Sequence, residues 1–348
     1  MPLLVLLLSL LLPGLHALDS DPASQEAVFQ QLAATSYQAI AERDANGDVI
    51  FLRFGQHGVL RPKDMAERQG LSDADMTLLR HFPKLQGLSL ESQPVGPEGL
   101  AVLAELPDLV MFAHKNPKHG PAPGAGEDTG RDPEYLRPLD ACRQLRVLDL
   151  THSFSVKTTI IDQLQGFPNL EWLSVDTSAS EAPLADFLQH SPKLMALRLH
   201  RTGMDDAALE RCFAAIPDLR FLELKLARGR KNNDNDATLR LFAEYLPKLE
   251  ILELTPRPGG FPPPHDWENG LEYLAQAPSL RVLSIGEPKD GSSDPALERL
   301  RAARPDILIN PDDFVGIAKP LAFDWDLGPS TFRTGAPPPD GPADPALD

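Results

Sequence analysis

Cysteine is scarce in this chain: Cys142 and Cys212 are the only two in 348 residues. That excludes a metal site built on several thiolates and a fold stapled by a dense disulfide framework. The nine histidines are scattered, and no His-Glu-x-x-His run puts two of them on one helical face. A Gly-x-Ser-x-Gly nucleophile turn and a phosphate-cradling glycine loop are also missing. Positive charge is in deficit, with 33 Lys and Arg against 50 Asp and Glu for a net charge of −17. That sign disfavours nucleic acid, whose phosphates reward basic surfaces. No basic amphipathic segment suits a membrane surface. The long apolar run "MPLLVLLLSLLLPGLHA" has a core of about ten residues, too short to span a bilayer comfortably. A Pro-Gly break and Ala17 follow it, so residues 1–17 read as a secretory signal, with an uncleaved anchor as the alternative. The mature chain is then expected to be extracytoplasmic, periplasmic or secreted, with no stable membrane insertion.

What is abundant is a repeated phrase. Pro-x-Leu-x-x-Leu-x-Leu, with small variations, occurs as "PKLQGLSL" at Pro83, "PDLVMFAH" at Pro107 and "RQLRVLDL" at Arg143. It returns as "PNLEWLSV" at Pro168, "PKLMALRL" at Pro192 and "PDLRFLEL" at Pro217. "PKLEILEL" at Pro247 and "PSLRVLSI" at Pro278 complete the set. Degenerate copies flank it, "GDVIFLRF" at Gly47 and "PDILINPD" at Pro305. The first apolar residues fall at 49, 85, 109, 145, 170, 194, 219, 249, 280 and 307. Four of the spacings are 24 or 25 residues, one is 27, and the rest are 30, 31, 36 and 36. A period in this range with this leucine pattern marks a stacked repeat, in which each unit buries its strand and helix only against its neighbours.

Within a unit, Leu219, Leu222 and Leu224 point to a shared core and the residues between them face away. Helical patterns precede the strands, as in "LSDADMTLLRHFP". There Ser72 or Asp73 can cap the helix, Met76, Leu79 and Phe82 recur at three-residue steps, and Pro83 ends it. "GLSDADMTLLRHFPKLQGLSL" and "TGMDDAALERCFAAIPDLRFLEL" resemble the bacterial leucine-rich repeats with the theme "gLtDagLahLaglPnLeeLdL". The resemblance covers roughly residues 44–310. It implies an α/β leucine-rich-repeat solenoid, a horseshoe with a parallel sheet on the concave face and mainly helices on the convex face. It says almost nothing about activity, since such arrays are scaffolds for grafted sites.

The flanks are different in kind. Residues 18–43 read as an N-terminal helical cap, with apolar Val28, Leu32 and Tyr37 to Ile40 at helical spacing. Residues 311–332 carry Phe314, Phe323, Trp325 and Phe332, enough for a small C-terminal cap. Residues 333–348, rich in Pro, Gly, Ala and Asp, read as a disordered tail. Cys142 and Cys212 precede strands three units apart, about 14 Å at the usual inter-strand spacing. A disulfide needs Cα atoms within about 7 Å, so both read as buried free thiols.

Isolated motifs do not survive scrutiny as chemistry. "EDTGR" at Glu127 contains the Asp-Thr-Gly triplet of aspartic proteases, but it occurs once and in a Gly/Pro-rich stretch. "DANGD" at Asp44 resembles the start of a calcium loop, yet the twelfth residue is Gly55 rather than Glu, so a turn at Asn46-Gly47 is preferred. His114 and His119 read as loop residues. No enzyme, cofactor or metal is expected.

The sheet columns carry the functional expectation. With the first leucine of each unit as position one, positions three, five and seven lie on the free side of the sheet. Position three reads Gly87, Met111, Val147, Trp172, Ala196, Phe221, Ile251 and Val282. It is either an apolar ridge open to a partner or ordinary packing under curvature and loops. Position five includes Asp149, Arg198, Glu223 and Glu253, and position seven includes Asp176, His200 and Lys225. The partner-binding candidates are therefore Trp172, Phe221 and Ile251 as anchors, with those seven charged or polar residues around them.

Three long units insert their extra residues directly after the strand, which sends the loops out at one rim. One of them, "LARGRKNNDND", gathers Arg228, Arg230 and Lys231 near Arg201, a basic patch suited to an anion. The leading expectation is an exported, monomeric, non-catalytic protein that binds a protein partner through its concave face and rim loops. A glycan- or anion-binding envelope protein using the patch is the alternative.

Overall fold

The repeated phrases become strands because alternating leucines satisfy a sheet with one buried face, and the prolines before them end the preceding helices. The computed structural model describes residues 21–36, 38–55, 70–115, 135–150, 161, 164–176, 182–202, 204–226, 235–254, 270–285 and 295–310. The signal region, the segments 311–332 and 333–348, Glu127 and most of the three insertions lie outside the described residues.

Eleven strands form one open sheet in chain order. They are β1 (Ala39–Arg43), β2 (Val49–Phe54), β3 (Gly87–Glu91), β4 (Met111–Lys115), β5 (Val147–Leu150) and β6 (Trp172–Asp176). β7 (Ala196–Thr202), β8 (Phe221–Leu226), β9 (Ile251–Leu254), β10 (Val282–Ile285) and β11 (Leu308–Ile309) complete it. From β2 onward every pairing is parallel, and apart from a shift at the end of β7, between Leu199 and Thr202, the register is regular, so from β2 to β10 equivalent repeat positions stand side by side. At position two, backbone N–H groups continue the ladder beyond the strands, as in Arg146 N to Val110 O at 2.8 Å and Glu171 N to Arg146 O at 2.8 Å.

Connecting helices lie along the other side: α1 (Pro22–Thr35), α2 (Asp73–Met76), α3 (Pro97–Ala101) and α4 (Ala182–Gln189). α5 (Asp206–Ala214), α6 (Asn235–Tyr245), α7 (Gly270–Ala275) and α8 (Pro295–Ala303) follow. From α4 onward each helix packs against the next. Position-one, -four and -six leucines are buried between the two layers in one continuous core, joined by Phe82, Phe112, Phe167, Phe187, Phe213 and Phe242.

Ser72 caps α2 in a reciprocal box, its hydroxyl accepting from Asp75 N at 3.3 Å while the Asp75 carboxylate accepts from Ser72 N at 2.8 Å. Met76, Leu79 and Phe82 are buried. The prolines do more than stop helices. Leu85 N bonds Phe82 O at 3.0 Å, and the same three-residue closure recurs at Leu170, Leu219 and Leu249. Each proline is thus the second residue of a tight turn, where its fixed φ is already correct.

The N-terminal cap departs from the helical reading. α1 ends at Thr35, and Ala39–Arg43 forms β1, antiparallel to β2. The "DANGD" stretch closes that hairpin, with Asp44 Oδ1 accepting from Asn46 N at 2.8 Å and Asp48 N at 3.0 Å. Gly47 takes φ +88°, which favours glycine. Pairing overrides the helical spacing here because the first strand of the array presents an open edge that β1 can satisfy. Cys142 and Cys212 are both buried and outside any disulfide, and burial, aided by Asp140, pushes the Cys142 thiol up to about 12.

Candidate functional site

The concave columns are assembled by register alone. Trp172 pairs with Val147 on one side and Ala196 on the other, and Phe221 stands between Ala196 and Ile251. Val282 follows Ile251, and Leu308 continues the same column on β11. At the opposite end Phe51 aligns with Gly87, where a Cβ would sit 2.6 Å from the Phe51 ring, so glycine is required for the ring to lie there.

This ridge is continuous and it is buried. Trp172 is 6% exposed, Phe221 8% and Ile251 0%, and Val147, Ala196 and Val282 are likewise buried. The three anchor candidates are brought together by the fold, but as packed side chains rather than an open apolar strip. Leu308, the last rung, is 49% exposed.

The position-five column is bound into ion pairs between neighbouring strands. Lys115 Nζ lies 2.7 Å from Asp149 Oδ2, and Arg198 Nε donates to Glu223 Oε2. Arg53 on β2 meets Glu91 on β3 at 3.2 Å. The Arg198 guanidinium also stands over the Trp172 ring, 5.9 Å from its centroid. Burial works against the charge on Arg198, but Glu223, with Asp149 and Glu253 beyond it, holds the guanidinium above its ordinary value. Ser174, between Asp149 and Arg198 in the column, is buried, and its hydroxyl has no hydrogen-bond partner among the described residues. Arg198, Glu253 and Ser284 keep intermediate exposure.

The backbones of Asp176, His200, Arg201 and Lys225 lie in β6, β7 and β8, but their side chains lie outside the described residues, as do Arg228, Arg230 and Lys231 altogether. Reading columns one at a time missed the diagonal pairs: Lys115 sits at position seven and reaches Asp149 at position five of the next strand. Opposite charges one unit and two residues apart were the available signal.

His114 is a correction. It lies in β4 at a core position rather than in a loop, fully buried where other units carry leucine. Its Nε2 meets the Tyr135 hydroxyl, which donates to Val95 O at 2.9 Å, and its Nδ1 faces Leu90 O at 3.4 Å. A polar chain of this kind fixes the return of the first long insertion into the core. Among the described residues, no three His, Cys, Asp or Glu side chains group as a metal site, and no helix is long and apolar enough to cross a membrane.

A parallel sheet in chain order, one strand per 24- to 36-residue unit and helices on one face define a leucine-rich-repeat solenoid. No protein-family model matches the chain, and no curated protein matches its sequence. Among the solved structures that are similar in part are the following two. A Bacteroides fragilis protein superposes with a TM-score of 0.45 at 16% identity, over 66% of this chain and 66% of its own, just under two thirds. A leucine-rich-repeat-containing protein from Legionella pneumophila gives 0.45 at 16% identity, over 75% of this chain and 89% of its own.

Proposed function

We propose that the protein is an exported, monomeric, non-catalytic scaffold that holds a protein partner against the concave face of β5–β10 and the adjoining rim. One observation carries this reading. Strands β5–β10 lie side by side in chain order with equivalent residues paired from one to the next, so a single surface repeats chemically compatible positions over six units. A partner first meets Arg198, Glu253 and Ser284, the half-buried rungs, and the rim loops after β8 and β9. Trp172, Phe221 and Ile251 serve as anchors once their burial is relieved. Charged side chains here are tied to one another, as in Lys115–Asp149 and Arg198–Glu223, which suits a recognition surface better than acid–base chemistry.

The test uses the mature chain from Leu18 as bait in envelope and culture-supernatant extracts. It runs beside a Glu253→Lys, Ser284→Glu variant and an Arg228→Glu, Arg230→Glu, Lys231→Glu variant, each with unchanged melting. A protein retained by the wild type and lost with the first variant supports the concave site. Loss with the loop variant alone moves the contact to the basic rim, and equal retention by all three, or none, removes the reading.

A further inference from the structure

Arg198 differs from the arginines around it. Arg146 grips Glu171 through both Nε and Nη2, at 3.0 and 2.7 Å, and Arg220 meets Glu250 through the same two nitrogens, each at 2.7 Å. Arg53 commits Nε to Gly55 O and Nη2 to Glu91. Arg198 donates only its Nε, to Glu223, and neither of its Nη groups has a hydrogen-bond partner among the described residues. The guanidinium is nonetheless held in place, by a Glu223 side chain that is 1% exposed and by the Trp172 ring below it. Its own side chain is 34% exposed, so the Nη edge can be reached from the concave side. A planar fork fixed in this way meets an acceptor oxygen with little left to order.

Ser174 supplies a second donor. It is the register neighbour of Arg198 on β6 and lies on the same face of the sheet. Its buried hydroxyl has no hydrogen-bond partner among the described residues, an uncommon state for a buried polar group. Charge then selects the ligand. Lys115 and Arg198 stand among Asp149, Glu223 and Glu253, two cations against three carboxylates, an excess of one negative charge. A carboxylate or phosphate would add to that excess, whereas a carboxamide would not. The carboxamide oxygen accepts from Arg198 and Ser174, and its N–H groups suit the surrounding carboxylates. A side-chain amide reaches a point between the ion pairs, while a main chain laid across the strands must pass over Lys115–Asp149 and Arg198–Glu223.

We propose that Arg198 and Ser174 form a socket for the carboxamide of an Asn or Gln side chain presented by the partner. The socket rests on the concave-face reading for its partner, but binding of a small amide needs none.

The test is nuclear magnetic resonance on the full mature chain with isotope-labelled arginine, the Arg198 Nε–H signal being assigned by its loss in Arg198→Lys. Acetamide is the probe, beside N-methylacetamide for the peptide group and acetate for the anion. Acetamide is expected to move the Arg198 signal along a saturating curve while those of Arg146 and Arg220 stay in place. Ser174→Ala, which removes only a buried unpaired hydroxyl, is expected to weaken that response severalfold with unchanged circular dichroism. An acetamide shift that is absent, or linear and shared by all three arginines, overturns the socket, as does an equal response in Ser174→Ala. A stronger response to acetate makes the site an anion site, and a stronger one to N-methylacetamide makes it a main-chain site; either overturns the assignment. Any of these failures beside a partner still captured on the concave face sinks the socket alone and leaves the wider reading standing.

Discussion

The two ends of the array solve the same problem with different means. At the first end, α1 packs on β1 and β2, and the antiparallel β1 satisfies the edge of β2. Val49, Leu52 and Phe54 are fully buried there. Two glutamines complete the seal: Gln25 Oε1 accepts from Val49 N at 2.7 Å, and Gln93 Oε1 accepts from Leu71 N at 2.9 Å while its Nε2 donates to Glu91 O at 2.8 Å. At the other end, β11 has two residues and Leu308 is half exposed. Its polar devices are Arg304, whose Nη1 donates to Ala277 O at 2.9 Å and Nη2 to Leu280 O at 3.1 Å, closing the preceding turn, and a half-buried amide, Asn310, whose Oδ1 accepts from Ile285 N at 2.6 Å. An end sealed by buried amides has no water to replace a lost bond. An end held by a guanidinium and an amide that both keep some exposure does.

The largest contrast follows from the core. Phe54→Ala at the first end is expected to cost about 3–5 kcal/mol, whereas Leu308→Ala at the last rung costs under about 1 kcal/mol. Urea unfolding of the full chain reads both, and similar losses would show that the ends are equally sealed. Next comes the amide seal. Gln93→Ala leaves Leu71 N and Glu91 O short of a partner and should cost about 2 kcal/mol. Arg304→Ala exposes carbonyls that water can reach and should cost about 1 kcal/mol, measured in the same series.

The smallest effect is one of pH. Asp48 is held below its ordinary value of 3.8 by Lys84 and then Gln25, and Asp306 by Arg304. A depressed folded value means that the unfolded chain binds protons first. Each contribution is therefore full above 3.8 and is lost as pH falls through the depressed folded value. Asp48→Asn and Asp306→Asn should each reduce the drop in Tm between pH 7 and pH 3 slightly. A larger change for Asp306 than for Asp48 would reverse the ranking of the two ends.

Most of the architecture was legible along the chain. The leucine positions, the capping serine and the "DANGD" turn are local or periodic signals, so reading them needed no knowledge of neighbours. β1 was not legible, because Tyr37 to Ile40 fit a helix and only the open edge of β2 makes a strand better. His114 was misplaced because a polar residue at a core position looks like a loop until Tyr135, 21 positions on, supplies its partner. The ridge column was identified residue by residue, yet its burial was not, since a column states which way side chains point and not what lies above them.

The sequence by itself determined a repeating unit, its period and which leucines share a core, because a strand and a helix of this pattern can bury their apolar faces only against another copy. Tertiary structure decided the rest. It sealed one end with two buried glutamines and the other with a guanidinium and a half-buried asparagine, tied concave charges into pairs across strands, and buried the aromatic ridge. These are contacts between residues distant in the chain, and their energies depend on what each group meets rather than on what it is.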